Sequence, residues 1–221
     1  MTKHQSEPER RAQILAAARS QFIEHGYAAT RVEDVARRAR LSKGAVYFYY
    51  PSKNDLFLAL VLEEHDTTYS LIEAVEQQDR PAMARLLDIG LKYLDYVQGR
   101  SQPPRFALMV TEAAMRDPMV RAECHAIHQR FVDAITRILA QGAQDGSFRP
   151  MDPVGVAQLL KAMIDGLSGQ AAIGLAPDRE RLTSEGFRTI LRGILHDPAA
   201  ADVLGASTAA ASALSAAFPT P

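Results

Sequence analysis

One predicted helix near the N-terminus directs a positive charge, a small side chain and two aromatic rings to the same face. The residues on this face are Lys43, Ala45, Tyr47 and Phe48. The helix is predicted over residues 43–50, because Val46, Tyr49 and Tyr50 follow the i, i+3, i+4 spacing of a buried stripe. Exposed aromatic rings beside a lysine are unfavourable in water alone, so this face suits a surface that fits into a groove.

Two predicted helices precede this segment and must position it. The first runs from Glu9 to His25 after Pro8, which is favourable at a helix start, and Gly26 ends it. Thr30 is predicted to open the second helix through a capping box with Glu33.

The turn after the second helix is short, and the segment that follows the third helix is equally well marked. Arg40 and Leu41 lead to Ser42, which is placed to cap the third helix. Pro51 ends that helix, Ser52 caps the next, and Lys53 is expected at the same surface. Helices joined by such a tight turn form a helix-turn-helix.

Charge is divided unevenly along the chain. Residues 1–62 hold ten Lys and Arg against six Asp and Glu, a net charge of +4, whereas the remainder carries −5. Phosphate contacts supply most non-specific affinity for DNA, so a basic head on an acidic body indicates a nucleic-acid partner.

Residues 10–62 resemble the DNA-binding head of the TetR family of bacterial transcriptional regulators. The matching positions are Gly26-Tyr27, Thr30, Val35-Ala36, Ser42-Lys43-Gly44, Val46-Tyr47, Tyr49-Tyr50, Pro51-Ser52-Lys53 and Leu56. The resemblance implies a homodimer with an effector pocket in its body. It supports a repressor that binds a palindromic operator in double-stranded DNA and is released by a small, largely apolar effector.

On this interpretation the third helix enters a major groove, and neighbouring helix N-termini contact phosphates. The predicted DNA-binding residues are Thr30, Arg31, Ser42, Lys43, Ala45, Tyr47, Phe48 and Lys53.

The rest of the chain is predicted to be helical, which gives an all-α fold of about nine helices. Helical periodicity continues from residue 53 to 197, broken by proline and glycine, and no alternating strand pattern is present. The predicted divisions are a flexible arm over 1–8, a DNA-binding domain over 9–52, a ligand-binding and dimerisation domain over 53–197, and a disordered tail over 198–221.

A stripe of small residues on one of these helices predicts close helix packing. Ala162, Gly166 and Gly169 lie at i, i+4 and i+7, and each interior glycine costs about 1 kcal/mol relative to alanine. An intramolecular contact is one explanation. The other is a symmetric dimer interface with the last helix, through Phe187, Ile190 and Ile194.

Bulky and polarisable residues on the middle helices are candidates for the lining of an effector pocket. They are Tyr93, Tyr96, Phe106, Met109, His128 and Phe131. Stripes of this kind also form ordinary cores, so both interpretations stay open.

Other functional classes have less support. Cys124, His125 and His128 lack a second ligand pair at metal-site spacing, so no metal or cofactor is predicted. No catalytic motif is found, and a helical adaptor that binds protein instead of DNA is the remaining alternative. A single cysteine, and an N-terminus and tail too polar for a signal peptide or a membrane span, suit a cytoplasmic protein.

Overall fold

The computed structural model describes residues 6–98, 105–175 and 178–197, and these form helices connected by short loops. The helices are α1 (Glu7–Ala29), α2 (Val32–Arg38), α3 (Lys43–Tyr49), α4 (Lys53–Glu76), α5 (Ala82–Gln98), α6 (Arg105–Arg116), α7 (Pro118–Gln144), α8 (Pro153–Ala172), α9 (Arg179–Arg181) and α10 (Phe187–Ile194). A π-helical turn, Leu182–Gly186, joins α9 to α10. Phe148 and Leu195 form an isolated antiparallel bridge. The prediction of an all-α fold is confirmed.

The first helix begins earlier than the sequence pattern indicated. Ser6 accepts a hydrogen bond from the Glu9 backbone N–H, and the Glu9 carboxylate accepts one from the Ser6 N–H, which completes a capping box. Residues 6–8, predicted as part of a flexible arm, therefore form the cap and first turn of α1. Gly26 interrupts the helix with φ +79°, a value that glycine adopts without strain, as its predicted role as a helix stop requires.

The described residues divide into two compact units. The first, here called the head unit, contains residues 6–67 together with 105–124. Its core includes Phe22 from α1, Val46 from α3, Phe57 from α4 and Phe106 from α6. The Phe57 ring meets the Phe22 ring edge-on at 5.4 Å between centroids, and it lies 5.8 Å from the Phe106 ring. The head unit therefore extends beyond the predicted DNA-binding domain of residues 9–52.

The second compact unit, here called the body unit, contains the described residues of 68–98 and 125–197. Its core combines apolar side chains of α5, α7, α8 and α10, among them Leu86, Ile135, Ala157 and Leu191. Gly142 on α7 has no room for a side chain, because a Cβ there would overlap the Phe148 ring that packs on the helix. The predicted tail, residues 198–221, lies outside the described residues.

Candidate nucleic-acid interface and ligand cavity

The N-terminus of α3 is held as predicted. Ser42 accepts a hydrogen bond from the Ala45 N–H at 3.1 Å. The Lys43 ammonium pairs with the Glu33 carboxylate of α2 and stands 5.5 Å from the centre of the Tyr47 ring. The hydrogen bond between the Lys43 and Glu33 side chains raises the pKa of Lys43 and lowers that of Glu33. Glu33 therefore neutralises the first cation of α3 in the free protein.

The two aromatic residues that were expected to face outward do so. Tyr47 is 37% exposed and Phe48 is 81% exposed, whereas Ala45 between Lys43 and Tyr47 is half-buried. Tyr50 turns into the head core, where burial raises its pKa. The outer face of α3 is thus a row of Lys43, Tyr47 and Phe48.

The predicted capping box at Thr30 is wrong. The N-cap of α2 is Arg31, whose side chain makes no capping hydrogen bond. The Thr30 hydroxyl is instead buried, and its one proton lies within reach of two carbonyl oxygens, Gly26 at 2.8 Å and Gln21 at 3.1 Å. The Thr30 backbone N–H also donates to the Gly26 carbonyl, at 3.3 Å, so the residue closes the end of α1 and its hydroxyl does not cap α2. Thr30 therefore holds the α1–α2 connection, while the exposed Arg31 remains accessible.

Lys53 also occupies a different position from the one predicted. Its ammonium donates to the carbonyl oxygens of Tyr27 at 2.9 Å, Thr30 at 3.1 Å and Ala28 at 3.3 Å. It also lies 4.5 Å from the centre of the Tyr27 ring. A lysine has three N–H donors, so these carbonyls use all of them. Lys53 joins the start of α4 to the α1–α2 connection.

Arg40 was not identified as a functional residue from the sequence, and its backbone is unusual. It closes α2 with φ +55°, a left-handed conformation that is costly for a residue with a Cβ. The hydrogen bond from the Leu41 N–H to the Ala36 carbonyl, at 2.9 Å, completes this helix end. Within the described residues the exposed Arg40 side chain has no ion-pair partner. Its charge is therefore available to an external anion.

The body unit contains a cavity of about 120 Å³. The side chains around it come from α5, α7, α8, the π-helical turn and α10, and none of them is charged. They include Leu86, Gly90, Tyr93, Phe131, Ile135, Leu160, Met163, Leu167, Phe187 and Ile190. Gly90 makes room for the Phe187 ring, whose nearest atom would lie 3.0 Å from a Cβ at that position.

Tyr93 supplies a polar group to this apolar lining. Its hydroxyl shares a hydrogen bond with the Ser168 hydroxyl of α8. Burial raises the pKa of Tyr93 to about 12, so the phenol is neutral at physiological pH. The cavity lining is thus electrically neutral, and its one phenol is already hydrogen-bonded to Ser168.

Two of the six predicted ligand-binding residues, Tyr93 and Phe131, line this cavity. The positions of Phe106 and Met109 contradict the prediction, because both pack in the head core. His128 is exposed on α7. The Tyr96 side chain lies outside the described part of the structure.

Family models match both parts of this chain. Residues 14–60 match the model described as bacterial regulatory proteins, tetR family, and residues 82–198 match the C-terminal model of BetI-type transcriptional repressors. The second match alone covers more than half of the 221 residues. The chain belongs to the TetR family. It is therefore a DNA-binding transcriptional regulator and not an enzyme, as predicted, and the adaptor alternative is set aside.

Individual proteins agree with this assignment. The TetR-family chain is 28% identical over 161 residues to the uncharacterized HTH-type transcriptional regulator YfiR of Bacillus subtilis (strain 168), covering 72% of this chain and 78% of that protein. It is 26% identical over 175 residues to the HTH-type transcriptional regulator RutR of Escherichia coli (strain K12), covering 79% of each. A solved complex of SmeT with triclosan shares the fold, with a TM-score of 0.69, 23% identity, and coverage of 86% of this chain and 93% of that chain.

The predicted dimer residues of this TetR-family protein divide into two groups. Ala162 and Gly166 on α8 are exposed and Gly169 is half-buried, and a Cβ at either glycine would meet no atom of the described residues within 4 Å. The described part of the chain therefore supplies no helix that packs closely on this stripe. The predicted dimer residues of α10 lie elsewhere than at an exposed interface, because Ile194 is buried and the other two, Phe187 and Ile190, line the cavity.

Two other types of site have no candidate within the described ranges. No cluster of three or more metal-binding side chains occurs there. No helix in that part of the chain is long and apolar enough to cross a membrane.

Proposed function

We propose that this protein is a homodimeric repressor that binds a palindromic operator through α3 and is released by a small neutral effector. The observation that carries the DNA-binding part is the exposed row of Lys43, Tyr47 and Phe48 on α3. A bacterial regulator of this kind acts in the cytoplasm, where the chromosome lies.

The DNA contacts follow from the exposed groups of the head. Lys43 and the Tyr47 hydroxyl can reach phosphates beside the major groove, and Phe48 faces the bases. Arg31 and Arg40, on either side of α2, are accessible cations that suit the flanking backbone. Ser42 and Ala45 contribute the N-terminal turn of α3, where backbone N–H groups attract a phosphate.

The chemistry of the cavity indicates the class of effector. A neutral lining has no counter-charge, so burial of a carboxylate or an ammonium there would be strongly unfavourable. A comparable apolar cavity of about 150 Å³ holds benzene. We therefore propose a neutral, largely apolar ligand of about one substituted ring. The solved complex of SmeT with triclosan, in a protein that shares this fold, supports the proposal.

The open face of α8 supports the dimer. Ala162, Gly166 and Gly169 leave space for close approach of another helix, and Leu159 and Met163 beside them are exposed apolar residues. A second copy of α8 would cover both. Two heads held at a fixed spacing would then bind the two half-sites of a palindrome.

Release of DNA requires that the effector favour a form of the dimer with a different head spacing. The chain passes between the two units within α4 and again within α7, so both helices can transmit a change in the body. Coupling between the two sites is reciprocal, so operator binding must lower the affinity for the effector by the same factor.

The experiment measures operator binding by fluorescence anisotropy, with a duplex selected from a random pool by the full-length protein. Phenol is the effector probe, and benzoate is the matched charged control. Phenol should raise the melting temperature of the protein and weaken operator binding, whereas benzoate should do neither. Leu167→Trp, which fills the cavity, should abolish the response to phenol and retain operator binding. A response to benzoate equal to that to phenol would refute the neutral site.

A further inference from the structure

Phe48 is exposed to an extent that its role in folding does not require. Its side chain is 81% exposed, and it meets the Tyr49 ring edge-on, with 5.2 Å between centroids and 90° between planes. Tyr49 is in turn held against the head core, and the Arg11 guanidinium lies 5.3 Å from its ring centre. The Phe48 ring is therefore oriented by a fixed neighbour and presented to the outside.

The chemistry of this ring limits what it can recognise on DNA. Phenylalanine has no hydrogen-bond donor or acceptor, so it cannot distinguish bases by the polar groups at their edges. In the major groove of unmodified DNA the apolar feature that carries sequence information is the C5 methyl group of thymine. Lys43 and Tyr47, on the same face of α3, can instead bind phosphates and fix the register of the helix.

We infer that Phe48 is a specificity-determining residue that reads a thymine methyl group in each half-site of the operator. This inference rests on the proposed insertion of α3 into the major groove. The contact covers an aromatic ring that is otherwise exposed to water, so its free energy depends on the presence of the methyl group. Phe48 thereby requires thymine at one position, while the phosphate contacts of its neighbours are independent of sequence.

The test removes the methyl group and leaves base pairing intact. Duplexes are selected from a random pool with the full-length protein, and each thymine is then replaced by uracil in both half-sites. At one symmetric position uracil should weaken binding about fourfold per methyl group, and more than tenfold for the pair. Phe48→Ala should bind the thymine and uracil duplexes equally, with the affinity that the wild type has for the uracil duplex.

Two further variants control for the environment of the ring. Phe48→Leu retains an apolar side chain and should retain part of the preference for thymine. Tyr47→Phe should lower affinity for both duplexes alike and leave the ratio between them unchanged. Because Phe48 is mostly exposed, circular dichroism of Phe48→Ala should match that of the wild type.

Two outcomes would overturn the inference, and they can be told apart. If uracil has no effect at any position, or an equal effect on Phe48→Ala, Phe48 does not read a thymine methyl group, even though α3 can still be the recognition helix. If Lys43→Ala leaves both the affinity and the salt dependence unchanged, α3 does not enter the groove, and the proposed mode of DNA binding fails with the inference.

Discussion

The Lys43 ammonium and the Glu33 carboxylate form an ion pair that connects the first turn of α3 to the first turn of α2. In the proposed complex, Lys43 must exchange this carboxylate for a phosphate. Glu33 then lies near the DNA backbone with its own negative charge. The pair therefore opposes DNA binding both by occupying the lysine and by repelling the phosphates.

Removing this carboxylate should strengthen DNA binding. We expect Glu33→Gln to raise operator affinity roughly twofold to fivefold per head, the range for an exposed ion pair, with the gain shrinking at high salt. Anisotropy titrations over a series of salt concentrations measure this. Glu185→Gln, which removes a carboxylate that pairs with Arg188 in the body unit, is the control for net charge. An equal gain in both variants would show that only the net charge matters.

Lys43 at the start of α3 and Lys53 at the start of α4 should respond differently to substitution by alanine. Lys53→Ala leaves three carbonyls without their donor, so the free energy of unfolding should fall by about 1–3 kcal/mol in urea titrations. The salt dependence of DNA binding by Lys53→Ala should equal that of the wild type. Lys43→Ala should leave stability nearly unchanged and reduce the slope of log affinity against log salt by about 0.9 per head. The reverse pattern would assign the phosphate contact to Lys53.

Arg40 should show a conflict between stability and DNA binding. Arg40→Gly and Arg40→Ala both remove the cation, but only glycine relieves the left-handed backbone. We expect the glycine variant to be more stable than the alanine variant by about 1 kcal/mol, and both to lose the same operator affinity. Chemical denaturation and anisotropy test the two parts separately. Equal stability of the two variants would mean that the left-handed conformation carries no cost.

Side-chain size at Gly166 should decide the oligomeric state. Gly166→Ala should remain dimeric and become slightly more stable, because alanine favours a helix by about 1 kcal/mol. Gly166→Leu should yield a folded monomer with much weaker operator binding, since two half-sites are no longer engaged together. Sedimentation equilibrium reports the masses. A dimeric leucine variant, or a monomeric wild type, would contradict the proposed interface.

Tyr93 should contribute an alkaline loss of stability. A tyrosine ionises near pH 10 in the unfolded chain, whereas burial raises the pKa of Tyr93 to about 12 in the folded protein. Its contribution is therefore complete below pH 10 and declines as pH rises from 10 to 12, by about 3 kcal/mol in total. Urea titrations across this range should show a shallower decline for Tyr93→Phe. If the stabilities of the wild type and Tyr93→Phe decline in parallel, the Tyr93 hydroxyl is exposed to solvent.

Local sequence signals predicted the helices well and their tertiary roles less well. The third helix was expected over residues 43–50 after a Ser42 cap, and the observed helix is Lys43–Tyr49, because a capping hydroxyl and a following proline act on their own backbone. Thr30 and Lys53 were misjudged because a hydroxyl or an ammonium near several acceptors chooses among them by three-dimensional distance.

The lining of the cavity was predictable only in part, for a related reason. Periodicity shows that Phe106 and Met109 are on the inner face of a helix, but not which core they join. The same applies to α10, because the spacing of Phe187, Ile190 and Ile194 shows that they share a face but not whether that face meets the body core or a second copy. A sequence pattern shows which residues of one helix share a face. The lining of a cavity also depends on how several helices are oriented relative to one another.

The discontinuous composition of the head unit limits how such regulators can be recombined. A cut after residue 52 would remove Leu56 and Phe57, and a longer N-terminal fragment would still lack the core contributions of Phe106, Val110 and Val120. A functional head therefore cannot be transplanted as a single N-terminal segment. A chimera that gives this body a new operator preference would need three junctions, at residues 67, 104 and 124, or a direct redesign of the outer face of α3.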